Sequence, residues 1–195
     1  ERDGTQPHGI PRRHPCVDAD LVTTRMAPRV VLIGPPGSGK TTVGRALARL
    51  LETRFHDTDA AVEAATGRAI ADIFVEDGEP AFRALERAEV TRALVEEDGV
   101  LALGGGAPMD PESQVALAAG HTVVFLDVGI ADAAKRVGFD QSRPLLAVNP
   151  RASWVRLMNE RRPTYERLAT AVVSTAGRTP GEIAAEIVEL LREGS

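Results

Sequence analysis

The stretch that decides the fold is Val30-Val31-Leu32-Ile33-Gly34-Pro35-Pro36-Gly37-Ser38-Gly39-Lys40-Thr41-Thr42. The apolar run at its start predicts a buried strand, and the pattern from Val43 onward predicts a helix directly after the glycines. A strand, a G-x-x-x-x-G-K-T loop and a helix in this order are the setting of a phosphate-binding P-loop. The stretch therefore predicts a nucleotide-binding fold.

Each residue type in this loop suits a nucleotide phosphate. Glycine lets backbone N–H groups turn inward around a phosphate, and the following helix adds its positive dipole end. Lys40 can reach the β- and γ-phosphates, and the Thr41 hydroxyl suits Mg²⁺, which prefers oxygen ligands. The alternative is a glycine-rich turn that binds nothing. The residues expected to bind the nucleotide are Gly37, Ser38, Gly39, Lys40, Thr41 and Thr42.

Length and composition limit the class of protein. The chain has 195 residues, of which 43% are hydrophobic, so it can bury one substantial core. A net charge of -5 argues against general affinity for nucleic acid or an anionic membrane surface. The single cysteine, Cys16, excludes an internal disulfide and fits a reducing cytosol. Residues 1–27 contain several prolines and no apolar period, which predicts a disordered N-terminal extension, and Met26 is a candidate natural start.

The remaining residues, 28–195, alternate short apolar runs with helical patterns. Strands are predicted at 29–33, 54–57, 100–103, 122–128 and 171–174. Together they predict an α/β three-layer sandwich with a five-stranded parallel sheet, the P-loop NTPase fold. Among the helices, one over 79–96 should turn Phe82, Leu85, Val90 and Leu94 inward, and one over 152–168 should be interrupted near Pro163.

A polar loop at 138–150 separates two predicted helices and contains Arg143-Pro144-Leu145-Leu146. Its length favours a functional lid over a simple connector. Trp154, shortly after it, is expected to pack at the base of this lid.

Two carboxylates follow the second predicted strand. Asp57 and Asp59 are two residues apart, so they point to one side of the sheet if the strand continues through them. They would then lie at a carboxyl end, where ligands bind in such sheets. One could hold Mg²⁺ while the other accepts or orients a hydroxyl proton. The alternative is that Asp59 caps a helix beginning at Ala60.

Arginines and glycines form the other candidate sites. Arg83 and Glu86 are helix neighbours, so Glu86 could fix Arg83 in one rotamer, unless the two form only a surface ion pair. Gly104-Gly105-Gly106 follows a strand and would let a ligand approach backbone N–H groups, unless it is only a flexible turn. Arg161 or Arg162 could hold an anionic substrate, or both could lie on a solvated helix face. His56 is interpreted as a packing residue.

These motifs occur together and in a characteristic order. They are GPPGSGKT at 34–41, DTD at 57–59, FRALE at 82–86, GGG at 104–106, RPLL at 143–146 and RRPTY at 161–165. As a set they resemble the shikimate kinases, which are P-loop kinases of the nucleoside monophosphate kinase type. The resemblance covers about 28–191.

The resemblance implies transfer of the ATP γ-phosphate to the 3-hydroxyl of shikimate, in chorismate and aromatic amino-acid synthesis. It assigns ATP and Mg²⁺ as cofactors, with Thr41 on the metal and Asp57 linked to it through water. Lys40, Asp59 and Arg143 become the catalytic residues, with Arg143 meeting the ATP phosphates from the lid. Residues implied at the shikimate are Asp59, Phe74, Phe82, Arg83, Gly105, Gly106 and Arg161, and those near the adenine are Arg136, Arg178 and Pro180.

The resemblance also implies a cytoplasmic monomer whose partner is shikimate, without nucleic acid or membrane. A related sugar-acid kinase, such as a gluconate kinase, or a nucleotide kinase is the nearest alternative, and FRALE and RPLL count against it. A P-loop GTPase switch is a different class. It would need an N-K-x-D guanine-reading motif, which the sequence lacks.

Overall fold

The computed structural model describes residues 27–137 and 150–194. Most of the predicted N-terminal extension at 1–27 and the predicted lid at 138–150 lie outside the described residues, and so does Arg143.

A parallel sheet forms the centre of the described chain. Its five strands lie in the order β2-β3-β1-β4-β5, and each neighbouring pair is parallel. This confirms the predicted five-stranded parallel sheet. The strands are β1 (Val30–Ile33), β2 (Phe55–Asp57), β3 (Val100–Ala102), β4 (Val123–Asp127) and β5 (Ala171–Ser174).

Helices connect the strands. None of those described is long and apolar enough to cross a membrane. They are α1 (Lys40–Leu50), α2 (Thr58–Thr66), α3 (Ile70–Glu76), α4 (Glu79–Glu96), α5 (Pro111–Ala118), α6 (Ile130–Val137), α7 (Pro150–Leu168) and α8 (Pro180–Glu193), with a 3₁₀ turn at Ala107–Met109.

Side-chain alternation along β1 builds a core on each face of the sheet. Val30 and Leu32 join a buried cluster with residues of α1 and α8, whereas Val31 and Ile33 join one with residues of α4, α5 and α7. The result is the predicted three-layer sandwich. Because β1 is the central strand, its P-loop opens at the carboxyl edge of the sheet between the loops that follow β3 and β4, where open α/β sheets bind ligands.

Two helix predictions are wrong in detail. In α4, Leu85 is 38% exposed, and the buried position belongs to Glu86, which is only 4% exposed. Helical spacing explains the burial of Glu86, because Glu86 lies one turn after the buried Phe82 and one turn before the buried Val90.

The second difference concerns Pro163, because helix α7 runs without interruption through this residue. Its buried residues pack along the helix and outweigh the one backbone hydrogen bond that proline removes.

Candidate active site

The P-loop has the geometry of a phosphate cradle. Gly37 and Gly39 have positive φ angles of 82° and 89°, which favour glycine. Within residues 27–137 and 150–194, no side chain caps the N-terminus of α1, and the positive end of the helix dipole faces the loop. Lys40 Nζ donates to the carbonyls of Gly34 at 2.9 Å and Pro35 at 3.2 Å, which holds the ammonium across the loop. These features fit a nucleotide phosphate.

Asp57 connects the P-loop to the next helix. The Thr41 hydroxyl donates to Asp57 Oδ2 at 2.8 Å, so the two predicted magnesium-binding residues lie together. Asp57 Oδ1 accepts hydrogen bonds from the backbone N–H groups of Asp59 at 3.1 Å and Ala60 at 3.5 Å. Oxygen atoms from a hydroxyl and a carboxylate are the donor set that Mg²⁺ prefers.

The predictions for Asp57 and Asp59 need a correction. Strand β2 ends at Asp57 and α2 begins at Thr58, so the two aspartates do not share one side of a strand. The residue that caps the helix is Asp57, and the alternative that placed Asp59 in this role is wrong. An extended residue just before a helix accepts from the N–H groups two and three positions later, which is the position of Asp57. Asp59 lies in the first turn of α2 and lines a cavity.

This cavity has a volume of about 500 Å³ and lies beside the P-loop. Its size suits a small molecule. All seven residues predicted to bind the acceptor line this cavity, and they come from α2, α3, α4, α7 and the turn after β3. Its lining includes Pro36, Thr41, Asp57, Asp59, Phe74, Phe82, Arg83, Glu86, Gly105, Gly106 and Arg161.

Arg83 is held firmly at one side of the cavity. Its Nη1 donates to Glu86 Oε2 at 2.7 Å, and its Nη2 donates to Glu79 Oε1 at 3.0 Å. Its guanidinium carbon lies 5.3 Å from the centre of the Phe82 ring. The carboxylate of Glu86 is buried, so the alternative of a surface ion pair is wrong. Glu86 fixes the Arg83 rotamer, as the helix spacing predicts.

The charges of this pair depend on each other. Burial raises the pKa of Glu86, and the nearby Arg83 guanidinium opposes that rise. Burial acts to lower the pKa of Arg83, but Glu86 and Glu79 raise it above its ordinary value. Arg83 therefore stays cationic and can meet an anion in the cavity.

The turn at Gly104-Gly105-Gly106 has close neighbours on its side-chain-facing side. A Cβ atom on Gly104 would collide with the Asp59 carboxylate, and one on Gly106 would collide with the Arg83 guanidinium. The Gly104 N–H donates to Thr58 Oγ1 at 3.0 Å, and Thr58 is buried. These contacts favour an ordered turn over the alternative of a flexible one.

The two arginines of α7 have different surroundings. Arg161 faces the cavity and donates from Nη1 to the Gly105 carbonyl at 2.9 Å. Arg162 instead binds Asp127, with Nη2 at 2.6 Å from Oδ1, and Glu166. Only Arg161 is placed to meet a ligand in the cavity.

Of the three residues predicted near the adenine, Arg136 contacts the P-loop. Arg136 Nη1 lies 3.4 Å from the carbonyls of Gly37 and Ser38, and its Nη2 donates to the Thr175 carbonyl at 2.8 Å. Arg178 lies in the loop that follows Thr175, bonds to the Ser174 carbonyl at 3.1 Å and pairs with Glu186. Pro180 begins α8 in the same region.

Sequence reasoning missed three polar contacts. Trp154, expected at the base of a lid, donates from its indole N–H to the Pro36 carbonyl of the P-loop at 3.1 Å. The Tyr165 hydroxyl donates to the Gly105 carbonyl at 2.6 Å. His56 is not a simple packing residue, because its Nε2 lies 2.6 Å from Glu89 Oε1. Of these three contacts, only that of Tyr165 had a signal in the sequence, because the RRPTY motif places this tyrosine one helical turn after Arg161.

A P-loop beside a cavity of small-molecule size defines a P-loop kinase that acts on a small molecule. The family model for shikimate kinase matches residues 36–192. A shikimate kinase of Salinispora arenicola is 56% identical over 166 residues, which cover 85% of this chain and 99% of that protein. A shikimate kinase of Streptomyces coelicolor is 54% identical over 167 residues, which cover 84% of this chain and 97% of that protein. The chain belongs to the shikimate kinase family.

Solved structures agree with this family. Shikimate kinase from Acinetobacter baumannii in complex with shikimate matches with a TM-score of 0.83 and 34% identity, covering 87% of this chain and 95% of that one. A gluconokinase from Sinorhizobium meliloti matches with a TM-score of 0.52 and 20% identity, covering 87% of this chain and 94% of the gluconokinase chain. The second likeness shows a shared fold alone.

Proposed function

We propose that this chain transfers the γ-phosphate of ATP to the 3-hydroxyl of shikimate, giving shikimate 3-phosphate and ADP. One observation carries the proposal. Arg83 and Arg161 reach the turn at Gly104-Gly105-Gly106 from α4 and α7, inside a cavity that also contains Asp59. The neighbouring P-loop supplies the phosphate site. The reaction belongs to chorismate and aromatic amino-acid synthesis, as the resemblance implies.

Arg83 and Arg161 bind the shikimate carboxylate in this proposal. Guanidinium groups match a carboxylate in planar geometry and stay charged when partly buried. Glu86 and Glu79 orient Arg83 in advance, which reduces the entropy lost on binding. The N–H groups of Gly105 and Gly106 add contacts, and the Phe74 and Phe82 rings, 4.8 Å apart, form an apolar wall for the carbocycle.

Asp59 acts on the acceptor hydroxyl. It binds the 3-hydroxyl and takes its proton as the oxygen forms a bond to the γ-phosphorus, while the bond to the β–γ bridging oxygen breaks and ADP leaves. Lys40 stabilises the charge that develops on the phosphate oxygens. Thr41 and Asp57 would hold Mg²⁺, which neutralises phosphate charge when bound.

The donor side is proposed on the same basis. The P-loop residues 37–42 surround the phosphates, and Arg136, Arg178 and Pro180 lie beside the adenine. The role of Arg143 stays a prediction, since it lies outside the described residues. We also propose a cytoplasmic monomer, and light scattering on the purified chain tests the monomer.

An ADP-release assay with separate acceptors tests the function. Shikimate, gluconate and nucleoside monophosphates are offered one at a time with ATP and Mg²⁺. We expect rapid ADP release with shikimate and only background release with the others. A Lys40→Ala variant serves as the control for contaminating kinases. Faster release with gluconate or a nucleotide than with shikimate would contradict the proposal.

A further inference from the structure

We propose that α7 sets the position of the ATP site relative to the acceptor site, with Trp154 and Tyr165 as positioning residues. The inference rests on the proposed function, because it concerns the distance between a phosphate donor and its acceptor. Neither residue lines the acceptor cavity. Trp154 donates a hydrogen bond to the Pro36 carbonyl and Tyr165 donates one to the Gly105 carbonyl, and both Pro36 and Gly105 line that cavity.

Trp154 holds the P-loop. The indole is 3% exposed, and its Nε1 donates to the Pro36 carbonyl at 3.1 Å. Pro36 lies in the middle of the loop and lines the acceptor cavity. A buried indole N–H requires an acceptor. Here that acceptor belongs to the loop that must surround the phosphates, so the hydrogen bond fixes where the loop lies.

Tyr165 holds the glycine turn. Its side chain is fully buried, its ring centre lies 5.2 Å from that of Phe125, and its hydroxyl donates to the Gly105 carbonyl at 2.6 Å. Arg161 donates to the same carbonyl at 2.9 Å. In a trans peptide the next N–H points opposite to the carbonyl, so this pair of bonds directs the Gly106 N–H away from α7.

Both contacts come from one face of one helix. Trp154, Met158, Arg161 and Tyr165 follow helical spacing, and the apolar members of this face are buried. The two loops also lie close together, since a Cβ atom added to Gly105 would be 3.4 Å from the Gly34 carbonyl oxygen and 3.4 Å from Pro36 Cδ. Helix α7 therefore fixes the relative position of the loops. Misplacing reacting groups by about 1 Å can cost about 10²-fold in rate.

Conservative substitutions separate the two contacts. Trp154→Phe keeps an aromatic ring without the N–H, and Tyr165→Phe keeps the ring without the hydroxyl. Losing one net hydrogen bond changes an equilibrium by about 2- to 12-fold. We expect Trp154→Phe to raise the KM for ATP by this factor and leave the KM for shikimate nearly unchanged. We expect Tyr165→Phe to raise the KM for shikimate and leave that for ATP nearly unchanged.

A core variant controls for stability alone. Leu117, on α5, is buried in the same apolar cluster as Trp154 and Tyr165 and is not part of the cavity lining. Leu117→Ala should lower the melting temperature and leave both KM values unchanged. Calorimetry of Mg-ADP binding gives a second measurement for Trp154→Phe that does not depend on the acceptor, and its Kd should weaken by the same factor.

The results distinguish this inference from the proposed function. If both phenylalanine variants keep kcat and both KM values, or raise the two KM values equally, the positioning role is wrong. If the wild-type chain does not phosphorylate shikimate, the proposed function itself is wrong. A rise in the KM for ATP alone in Trp154→Phe and in the KM for shikimate alone in Tyr165→Phe, with both KM values unchanged in Leu117→Ala, supports the inference.

Discussion

Thr41 and Asp57 lie 16 residues apart in the chain, and the Thr41 hydroxyl donates a 2.8 Å hydrogen bond to the Asp57 carboxylate. The other oxygen of that carboxylate caps α2, the helix that carries Asp59. One carboxylate therefore joins the first turn of α1 to the helix with the proposed catalytic aspartate. Moving the P-loop away from α2 by more than a few tenths of an ångström would weaken this hydrogen bond.

The first prediction concerns Asp57. Asparagine caps helices about as well as aspartate, so Asp57→Asn should leave the melting temperature nearly unchanged. It removes a negative charge from the proposed metal site, so the Mg²⁺ concentration for half-maximal rate should rise several-fold. The measurement is a Mg²⁺ titration at saturating ATP and shikimate. An unchanged Mg²⁺ requirement would show that Asp57 is only a helix cap.

The second prediction concerns Asp59. Because the cap is Asp57, Asp59→Asn should not damage the start of α2. The amide cannot take a proton from the acceptor hydroxyl, and a positioned acid or base contributes about 10²–10⁴-fold to a rate. We expect kcat to fall by about that factor, while the calorimetric Kd for Mg-ADP stays the same. A variant that keeps most of its kcat would remove Asp59 from the chemistry.

The third prediction uses neighbouring arginines of α4. Arg83→Ala should raise the KM for shikimate far more than that for ATP, since an unpaired and desolvated carboxylate costs about 2–5 kcal/mol. Arg87 is the matched control, because it lies one turn further and pairs with Asp110 outside the cavity. Arg87→Ala should leave both KM values unchanged. Equal effects of Arg83→Ala on both substrates would place Arg83 outside the acceptor site.

The fourth prediction concerns pH and a cluster behind the site. His56 and Arg92 face the carboxylates of Glu89 and Glu97, and Arg92 also pairs with Glu96. Burial acts to raise the pKa of Glu89, but hydrogen bonds from Arg92 and His56 hold that pKa below its ordinary value of 4.5. A depressed carboxyl pKa stabilises the fold above the unfolded-state pKa, and this contribution is lost as the pH falls through the folded-state pKa.

We therefore expect the free energy of unfolding to fall on acidification from about pH 5 to about pH 3, partly through Glu89. Denaturant titrations across this range should show a shallower fall for Glu89→Gln than for the wild type. The exposed Glu193→Gln variant, at the end of α8, is the control and should follow the wild-type curve. Identical slopes for Glu89→Gln and the wild type would contradict the assignment.

The parts of the fold that rest on local patterns could be predicted from the sequence. An apolar run predicts the strand before Gly34, and the glycine-rich loop predicts the helix after Lys40. This strand is β1, the central strand of the sheet. The role of Asp57 could not be predicted, because Asp57 and Asp59 can both cap a helix and the choice depends on where β2 ends. The ends of short strands are among the features that sequence patterns indicate least well.

Contacts across the chain were also beyond local reasoning. Trp154 and Pro36 are 118 residues apart, and Tyr165 and Gly105 are 60 apart, so no spacing rule relates them. Glu86 is buried in place of Leu85 because a buried carboxylate is tolerated once it pairs with Arg83 and the turn packs over it. That pairing could be suggested from helix spacing, but its burial depends on the tertiary fold.

The most direct test of the account is to identify the phosphorylated product. The purified chain is incubated with ATP, Mg²⁺ and shikimate, and the mixture is followed by ³¹P NMR and mass spectrometry. We predict one new phosphate monoester, with the phosphate on the 3-hydroxyl of shikimate, formed in equal amount to ADP. Release of inorganic phosphate with unmodified shikimate, or a phosphate on another hydroxyl, would contradict the proposed arrangement of Asp59, Arg83 and Arg161 around the acceptor.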